Sequence, residues 1–170
     1  MVAVVLLRAA NLGARNRVPM ATFRAILEEV GGEDVRTYVQ SGNAVLRTRL
    51  SAAALEAAVE SGIRRELGHE LTVVVRTAAQ MRRVAGDSPF PEAHVAFLAA
   101  KPAAARVRAL ESRDFRADRA KVVGKDVYLH YPTGVGRSTL SNVTIERILG
   151  VPATTRNWRT VTALAELSRG

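Results

Sequence analysis

Arginine, amide and hydroxyl side chains concentrate in two short segments of the chain, residues 8–17 and 40–43. Guanidinium groups are fork-shaped donors, and amides and hydroxyls add further donors and acceptors, so such a set suits a phosphate or a carboxylate. The residues predicted to bind a ligand are Arg8, Asn11, Arg15, Asn16, Arg17, Gln40, Ser41 and Asn43. Because turns also require Asn, Ser and Gly, a purely structural role for these residues is the alternative.

A second set of candidates surrounds the single tryptophan of the chain. Arg156, Asn157 and Trp158 are secondary ligand-binding candidates, because arginine and tryptophan side chains together can stack on a nucleic-acid base. A lone tryptophan at a helix start is more often an anchor between layers of structure, and we favour that interpretation.

The loop over residues 131–139 is a third candidate, since it leads from a predicted strand into a helix start, where free N–H groups favour anions. Its glycine spacing matches neither the phosphate-loop motif nor the dinucleotide fingerprint. We therefore predict a structural role, in which Ser138 or Thr139 is the N-cap of the following helix. The residues of this helix predicted to face inward are Val143, Ile145 and Ile148.

The usual catalytic and metal-binding patterns are missing from the sequence. There is no cysteine, which excludes disulfides, thiolate zinc sites and cysteine nucleophiles. The histidines have no metal-like spacing, and neither a G-x-S-x-G elbow nor an HExxH motif occurs. Acidic residues such as Glu56, Glu60 and Glu146 are predicted on helix surfaces. The sequence therefore predicts no metal and no cofactor, and it assigns no catalytic residue.

The formal net charge of +9 has two interpretations. A basic protein often has an anionic partner such as nucleic acid, and residues 101–125 hold eight cations against three acids. Alternatively, 25 basic residues of which only three are lysines, in an alanine-rich chain, reflect a GC-rich coding sequence. We favour the second interpretation.

Hydrophobic periodicity predicts the elements that position these residues. A valine-rich strand, a helix opened by Pro19, two strands around a glycine turn, a second helix and a fourth strand follow one another. This βαββαβ order is the split βαβ, or ferredoxin-like, unit, and it repeats in the second part of the chain. We predict an α+β fold of two ferredoxin-like halves packed together, over residues 1–77 and 93–156, with a linker and short helix over 78–92 and a C-terminal helix over 157–170.

The predicted topology brings the first candidate set together. The first and second strands of a βαβ unit run parallel, with a right-handed crossover, so their ends lie at the same edge of the sheet. The loop over residues 9–18, the turn over 40–43 and the entrance to the fourth strand over 68–70 should meet there. We call this predicted meeting point the motif edge.

Three functions are compatible with these patterns. The first is binding of a phosphorylated small molecule or nucleotide at the motif edge, which we prefer. The second is nucleic-acid binding, which depends on the net charge. The third is an enzyme whose site lies between the two halves, because clefts at such junctions are common ligand sites.

Three separated segments resemble one known family. Residues 6–20, 37–43 and 154–158 are similar, in order, to motifs of the uncharacterised bacterial family catalogued as domain of unknown function 1697. The family usually has Gly-Ile where Ala9 and Ala10 stand, and a second glycine where Ala14 stands. The resemblance implies a pair of ferredoxin-like halves, and it brings no established activity with it.

The opening apolar run, residues 2–7, ends at Arg8 and is too short for a secretory core or a membrane span. We therefore predict a cytoplasmic protein that does not interact with membranes, and we predict no oligomeric state.

Overall fold

The computed structural model describes residues 1–8, 17–38 and 42–170. Its helices and strands follow one another in the order that hydrophobic periodicity predicts, and the short helix expected in the linker is α3. In chain order the elements are β1 (Val2–Leu7), α1 (Met20–Glu29), β2 (Glu33–Thr37), β3 (Asn43–Arg47), α2 (Ala52–Leu67), β4 (Val73–Thr77), α3 (Ala78–Gly86), β5 (His94–Leu98), α4 (Ala104–Ser112), β6 (Arg119–Val123), β7 (Asp126–His130), α5 (Asn142–Leu149), β8 (Ala153–Arg156) and α6 (Trp158–Leu167).

The chain divides into two units, each with its own four-stranded antiparallel sheet. The first unit comprises Met1–Arg83 with Ala163–Gly170, and its strand order is β2-β3-β1-β4. The second comprises Val84–Thr162, with strand order β6-β7-β5-β8. Each unit has the βαββαβ order, so the predicted α+β fold with repeated ferredoxin-like units and a C-terminal helix is confirmed. In the part of the chain that the structure describes, no helix is both long and apolar enough to cross a membrane.

The repeat extends from element order to strand register. In the first sheet Val4 of β1 lies opposite Arg76 of β4, and in the second sheet Val95 of β5 lies opposite Arg156 of β8. Both units therefore place an arginine at the same position of the edge strand, which is β4 beside β1 in the first sheet and β8 beside β5 in the second. Arg76 is buried, and its Nη1 donates a hydrogen bond to the carbonyl oxygen of Val75 at 3.1 Å.

The core of the first unit forms where one face of its sheet meets α1 and α2. Alternate residues of β1 point to that face, because successive side chains of a strand alternate between its two sides. The helices approach closely at Gly62, where a Cβ atom would lie 2.7 Å from Cγ2 of Ile26. The apolar run that suggested a buried strand is buried from Ala3 to Leu7.

The start of α5 differs from the prediction. Ser141 is the N-cap, and its side chain accepts a hydrogen bond from the backbone N–H of Thr144, so the assignment of the cap to Ser138 or Thr139 is wrong. Val143 is 69% exposed, whereas Ile145 is fully buried. With about 3.6 residues per turn, a residue two positions before Ile145 points to the opposite side of the helix.

Three glutamates predicted on open helix surfaces instead bond the outer strands of the sheets. Glu56 and Glu60 of α2 each accept, through Oε1, a backbone N–H of β4 at 3.0 Å, from Val75 and Val73 respectively. Glu146 of α5 accepts the N–H of Ala153 in β8 at 2.8 Å. Since β4 and β8 end their sheets, these carboxylates satisfy donors that a neighbouring strand would otherwise pair.

Candidate functional site

Backbone hydrogen bonds bring the strand ends of the first unit together at the motif edge. The N–H of Leu7 donates to the carbonyl oxygen of Gly42 at 2.9 Å, and the N–H of Arg8 donates to that of Thr72 at 3.0 Å. The N–H of Tyr38 donates to the carbonyl oxygen of Asn43 at 3.0 Å. The predicted meeting of these segments at one edge is therefore confirmed for the described residues, whereas ligand binding there stays a prediction.

Arg17 and His69 join this edge through a bond between distant segments. Nε2 of the His69 ring lies 3.0 Å from the carbonyl oxygen of Arg17. A carbonyl oxygen only accepts, so Nε2 carries the proton and donates it. The bond fixes the segment that leads into α1 against the entrance to β4, and the Arg17 side chain remains exposed.

Asn43 has a structural task at the edge. Its side chain is fully buried, and its Nδ2 donates to the carbonyl oxygen of Tyr38 at 3.0 Å. Two hydrogen bonds between these residues therefore hold the ends of β2 and β3 together. Its carboxamide thus contributes to the hairpin, while the half-buried Arg8 and the exposed Arg17 lie nearer to solvent.

The structure brings Arg8, Arg17 and Asn43 of the predicted set to one edge. The other predicted ligand-binding residues lie outside the described residues. These are Asn11, Arg15, Asn16, Gln40 and Ser41.

The residues around the tryptophan form the junction between β8 and α6. Oδ1 of Asn157 accepts the backbone N–H of Thr160 at 2.9 Å, as an N-cap residue does. Nη1 of Arg156 donates to Oγ1 of Thr154 at 2.5 Å, and burial lowers the pKa of this guanidinium to about 10. Trp158 is half-buried at the first position of α6. The side chain of Asn157 thus bonds the start of α6, and that of Arg156 bonds a residue of its own strand.

A groove of about 680 Å³ opens in the second unit, between residues 115–118 and the loop over residues 133–139. Oγ of Ser138 donates to Oδ2 of Asp118 at 2.5 Å and accepts the N–H of Leu140 at 3.0 Å. The hydroxyl of Tyr131 donates to the carbonyl oxygen of Leu140 at 2.5 Å. Residues 115–118 therefore form a groove with the candidate loop, and the sequence did not predict this groove. The only signal for residues 115–118 was the basic run over residues 101–125.

The tyrosines of this unit offer a test of its packing. Burial raises the pKa of Tyr131 to about 12, with a further contribution from Asp118. Burial likewise raises the pKa of Tyr128 to about 12, with contributions from Asp126 and Asp87. Because the folded state holds these hydroxyls neutral, their stabilising effect is complete below the ordinary pKa of 10 and is lost as the pH rises through about 12.

We therefore expect the free energy of unfolding to fall between about pH 10 and pH 12. Tyrosinate absorbance should develop at a higher pH in the native protein than in urea-unfolded protein. The double variant Tyr128→Phe, Tyr131→Phe should lose the part of the absorbance change that occurs at this higher pH. Coincident titration curves for native and unfolded protein would contradict the burial of both hydroxyls.

Within the described residues, no cluster of three or more His, Asp or Glu side chains could hold a metal ion. The groove is instead lined by guanidinium groups, hydroxyls and one carboxylate.

Comparison with known proteins bears on the family and the fold. The sequence profile of the family described as "Protein of unknown function (DUF1697)" matches residues 1–128. Among solved structures, the chain is similar to a conserved bacterial protein from Streptococcus pneumoniae, with a TM-score of 0.73 and 19% sequence identity, over 99% of this chain and 98% of that chain. At this identity the likeness shows the fold alone. No functionally curated protein matches the chain.

Proposed function

We propose that this chain, which belongs to the DUF1697 family of proteins of unknown function, binds a phosphorylated small molecule or nucleotide at the motif edge. The observation that carries the proposal is the convergence of Arg8 and Arg17, from separate segments of the sequence, at an edge where the buried Asn43 holds the neighbouring turn. Loops held by a rigid sheet are common places for binding sites.

The charges around the edge support an anionic ligand. Glu70, beside His69 in the sequence, pairs with Arg64, whose Nε lies 2.6 Å from Oε1 and whose Nη2 lies 3.2 Å from Oε2. Hydrogen bonding to Arg64 lowers the pKa of Glu70, so this carboxylate stays ionised and paired. Its negative charge is thus compensated locally, and the Arg17 side chain presents a guanidinium to solvent at the same edge.

The test is a thermal-shift screen with nucleotides and sugar phosphates, followed by calorimetry on any compound that stabilises the protein. A ligand at about a hundred times its Kd stabilises by roughly 2.7 kcal/mol, which for a chain of this size raises Tm by about 5–10 °C. We expect Arg17→Ala to weaken the binding of such a compound about tenfold to a hundredfold, since a charge-assisted hydrogen bond is lost.

Arg49→Ala is the matched control, because Arg49 is exposed in the same unit but follows β3 at the opposite end of the sheet. Unchanged affinity in Arg8→Ala and Arg17→Ala, or an equal loss in Arg49→Ala, would contradict the proposal. Stabilisation by oligonucleotides alone, with a log–log salt slope of about −0.9 per contacted phosphate on duplex DNA, would favour nucleic-acid binding instead.

A further inference from the structure

The groove in the second unit has the dimensions and the walls of a small-molecule site. Its volume of about 680 Å³ lies within the range of about 300–1,000 Å³ that is typical of ligand pockets. Both walls are fixed by hydrogen bonds. Tyr131 and Ser138 tie the loop side, and Nη1 of Arg119 holds the other side through the carbonyl oxygens of Arg116 at 2.6 Å and Asp118 at 3.0 Å.

Two exposed guanidinium groups line this groove. Arg116 lies on one wall and Arg137 on the other. Neither side chain has a hydrogen-bond or ion-pair partner among the residues that the structure describes. Arg116 is also held in the left-handed region, at φ 62°, by a bond from its N–H to Oδ1 of Asp114 at 2.8 Å. Two unpaired arginines across a groove are suited to a phosphate group, which accepts several hydrogen bonds at once.

Asp118 and the neighbouring hydroxyls determine what else the ligand must carry. Oδ2 of Asp118 accepts from Ser138, whereas Oδ1 has no hydrogen-bond partner within the described part of the chain. Thr133 and Thr139 add exposed hydroxyls to the lining. A carboxylate repels a bare phosphate but accepts hydrogen bonds from ligand hydroxyls, so the groove favours a molecule that has both groups.

We propose that this groove binds a phosphorylated polyhydroxy compound of the sugar phosphate class, with Arg116 and Arg137 on the phosphate and Asp118 on a ligand hydroxyl. This site shares no residue with the motif edge, since all of its residues belong to the second unit. It does not depend on the function proposed for the first unit, and each site has its own variants.

The experiment measures the affinities of ribose phosphate and inorganic phosphate by calorimetry. We expect Arg116→Ala and Arg137→Ala each to weaken ribose phosphate binding roughly tenfold to a hundredfold. Asp118→Asn keeps an acceptor for Ser138 but removes the negative charge. It should therefore weaken ribose phosphate binding and strengthen inorganic phosphate binding, an opposite pair of effects that a loss of structure would not produce.

Arg108→Ala is the matched control, because Arg108 is an exposed arginine of α4 outside the groove lining. Circular dichroism of each variant reports whether it folds, and Arg137→Lys should restore part of the affinity that Arg137→Ala loses. The proposal is overturned if Arg108→Ala weakens binding as much as the groove variants do, or if ribose phosphate does not bind. It is also overturned if only an oligonucleotide binds, or if Asp118→Asn changes both affinities in the same direction.

Discussion

Replacing Gly42 by alanine should lower the free energy of unfolding by about 2–5 kcal/mol. Gly42 has a φ of +77°, which is the left-handed region where a Cβ atom is disfavoured. A Cβ atom built on it would also lie 2.7 Å from Cβ of Leu7. Leu7 is fully buried in the central strand β1, so neither side can move away without disturbing the core.

Urea unfolding of the variant measures this loss, and Gly68→Ala separates its two causes. Gly68 ends α2 with a φ of +69°, and a Cβ atom there would meet no other heavy atom within 4 Å. Gly68→Ala should therefore show only the backbone cost, about 1–2 kcal/mol. Equal losses in the two variants would mean that the contact with Leu7 contributes nothing.

The regular parts of the fold could be predicted because their local patterns and their tertiary roles agree. β1 covers the apolar run over residues 2–7 that predicts it, and the hairpin between β6 and β7 turns at Gly124, whose φ is +61°. β2 spans Glu33–Thr37, and its pairing with β3 shifts between Glu33 and Arg36, beside Asp34 at φ 50°. An irregular pairing of this kind leaves no periodic signal in the sequence.

The candidate sites divide in the same way. Strand topology predicted that Arg8, Arg17, Asn43 and His69 share one edge, because parallel strands joined by a crossover end on the same side. The burial of Asn43 could not be predicted, since a polar residue in a turn motif is usually exposed. The groove wall at residues 115–118 was also missed, because it depends on the bond between Ser138 and Asp118, which are 20 positions apart.

The bonds from α2 to the outer strand of the first sheet were missed for a related reason. Glutamates on an amphipathic helix normally face water, and the spacing of Glu56 and Glu60 fits one polar stripe. Only the position of α2 beside the outer edge of β4 shows that both carboxylates reach backbone N–H groups. In the second unit Glu146 likewise accepts a backbone N–H of β8. This bond between a helix carboxylate and the edge strand is therefore a feature of the repeated unit and not of one helix.

The double variant Glu56→Ala, Glu60→Ala should lower the free energy of unfolding by about 3–6 kcal/mol, because each hydrogen bond to a charged group contributes about 1.5–3 kcal/mol. The N–H groups of Val73 and Val75 would lose their acceptors on a strand that ends the sheet. An uncovered edge also pairs with other chains, so light scattering on heating should rise together with the loss of stability.

The corresponding glutamine variant and a third glutamate of α2 make the interpretation specific. Glu56→Gln with Glu60→Gln keeps an acceptor oxygen at each position and should retain part of the stability, since neutral hydrogen bonds contribute about 0.5–1.5 kcal/mol each. Glu66→Ala removes an exposed carboxylate that pairs with Arg65 at 3.4 Å, and should cost less than about 1 kcal/mol. If the double alanine variant unfolds at the same urea concentration as Glu66→Ala, the carboxylates do not hold the strand, and the stability of this edge must come from the apolar packing of β4 alone.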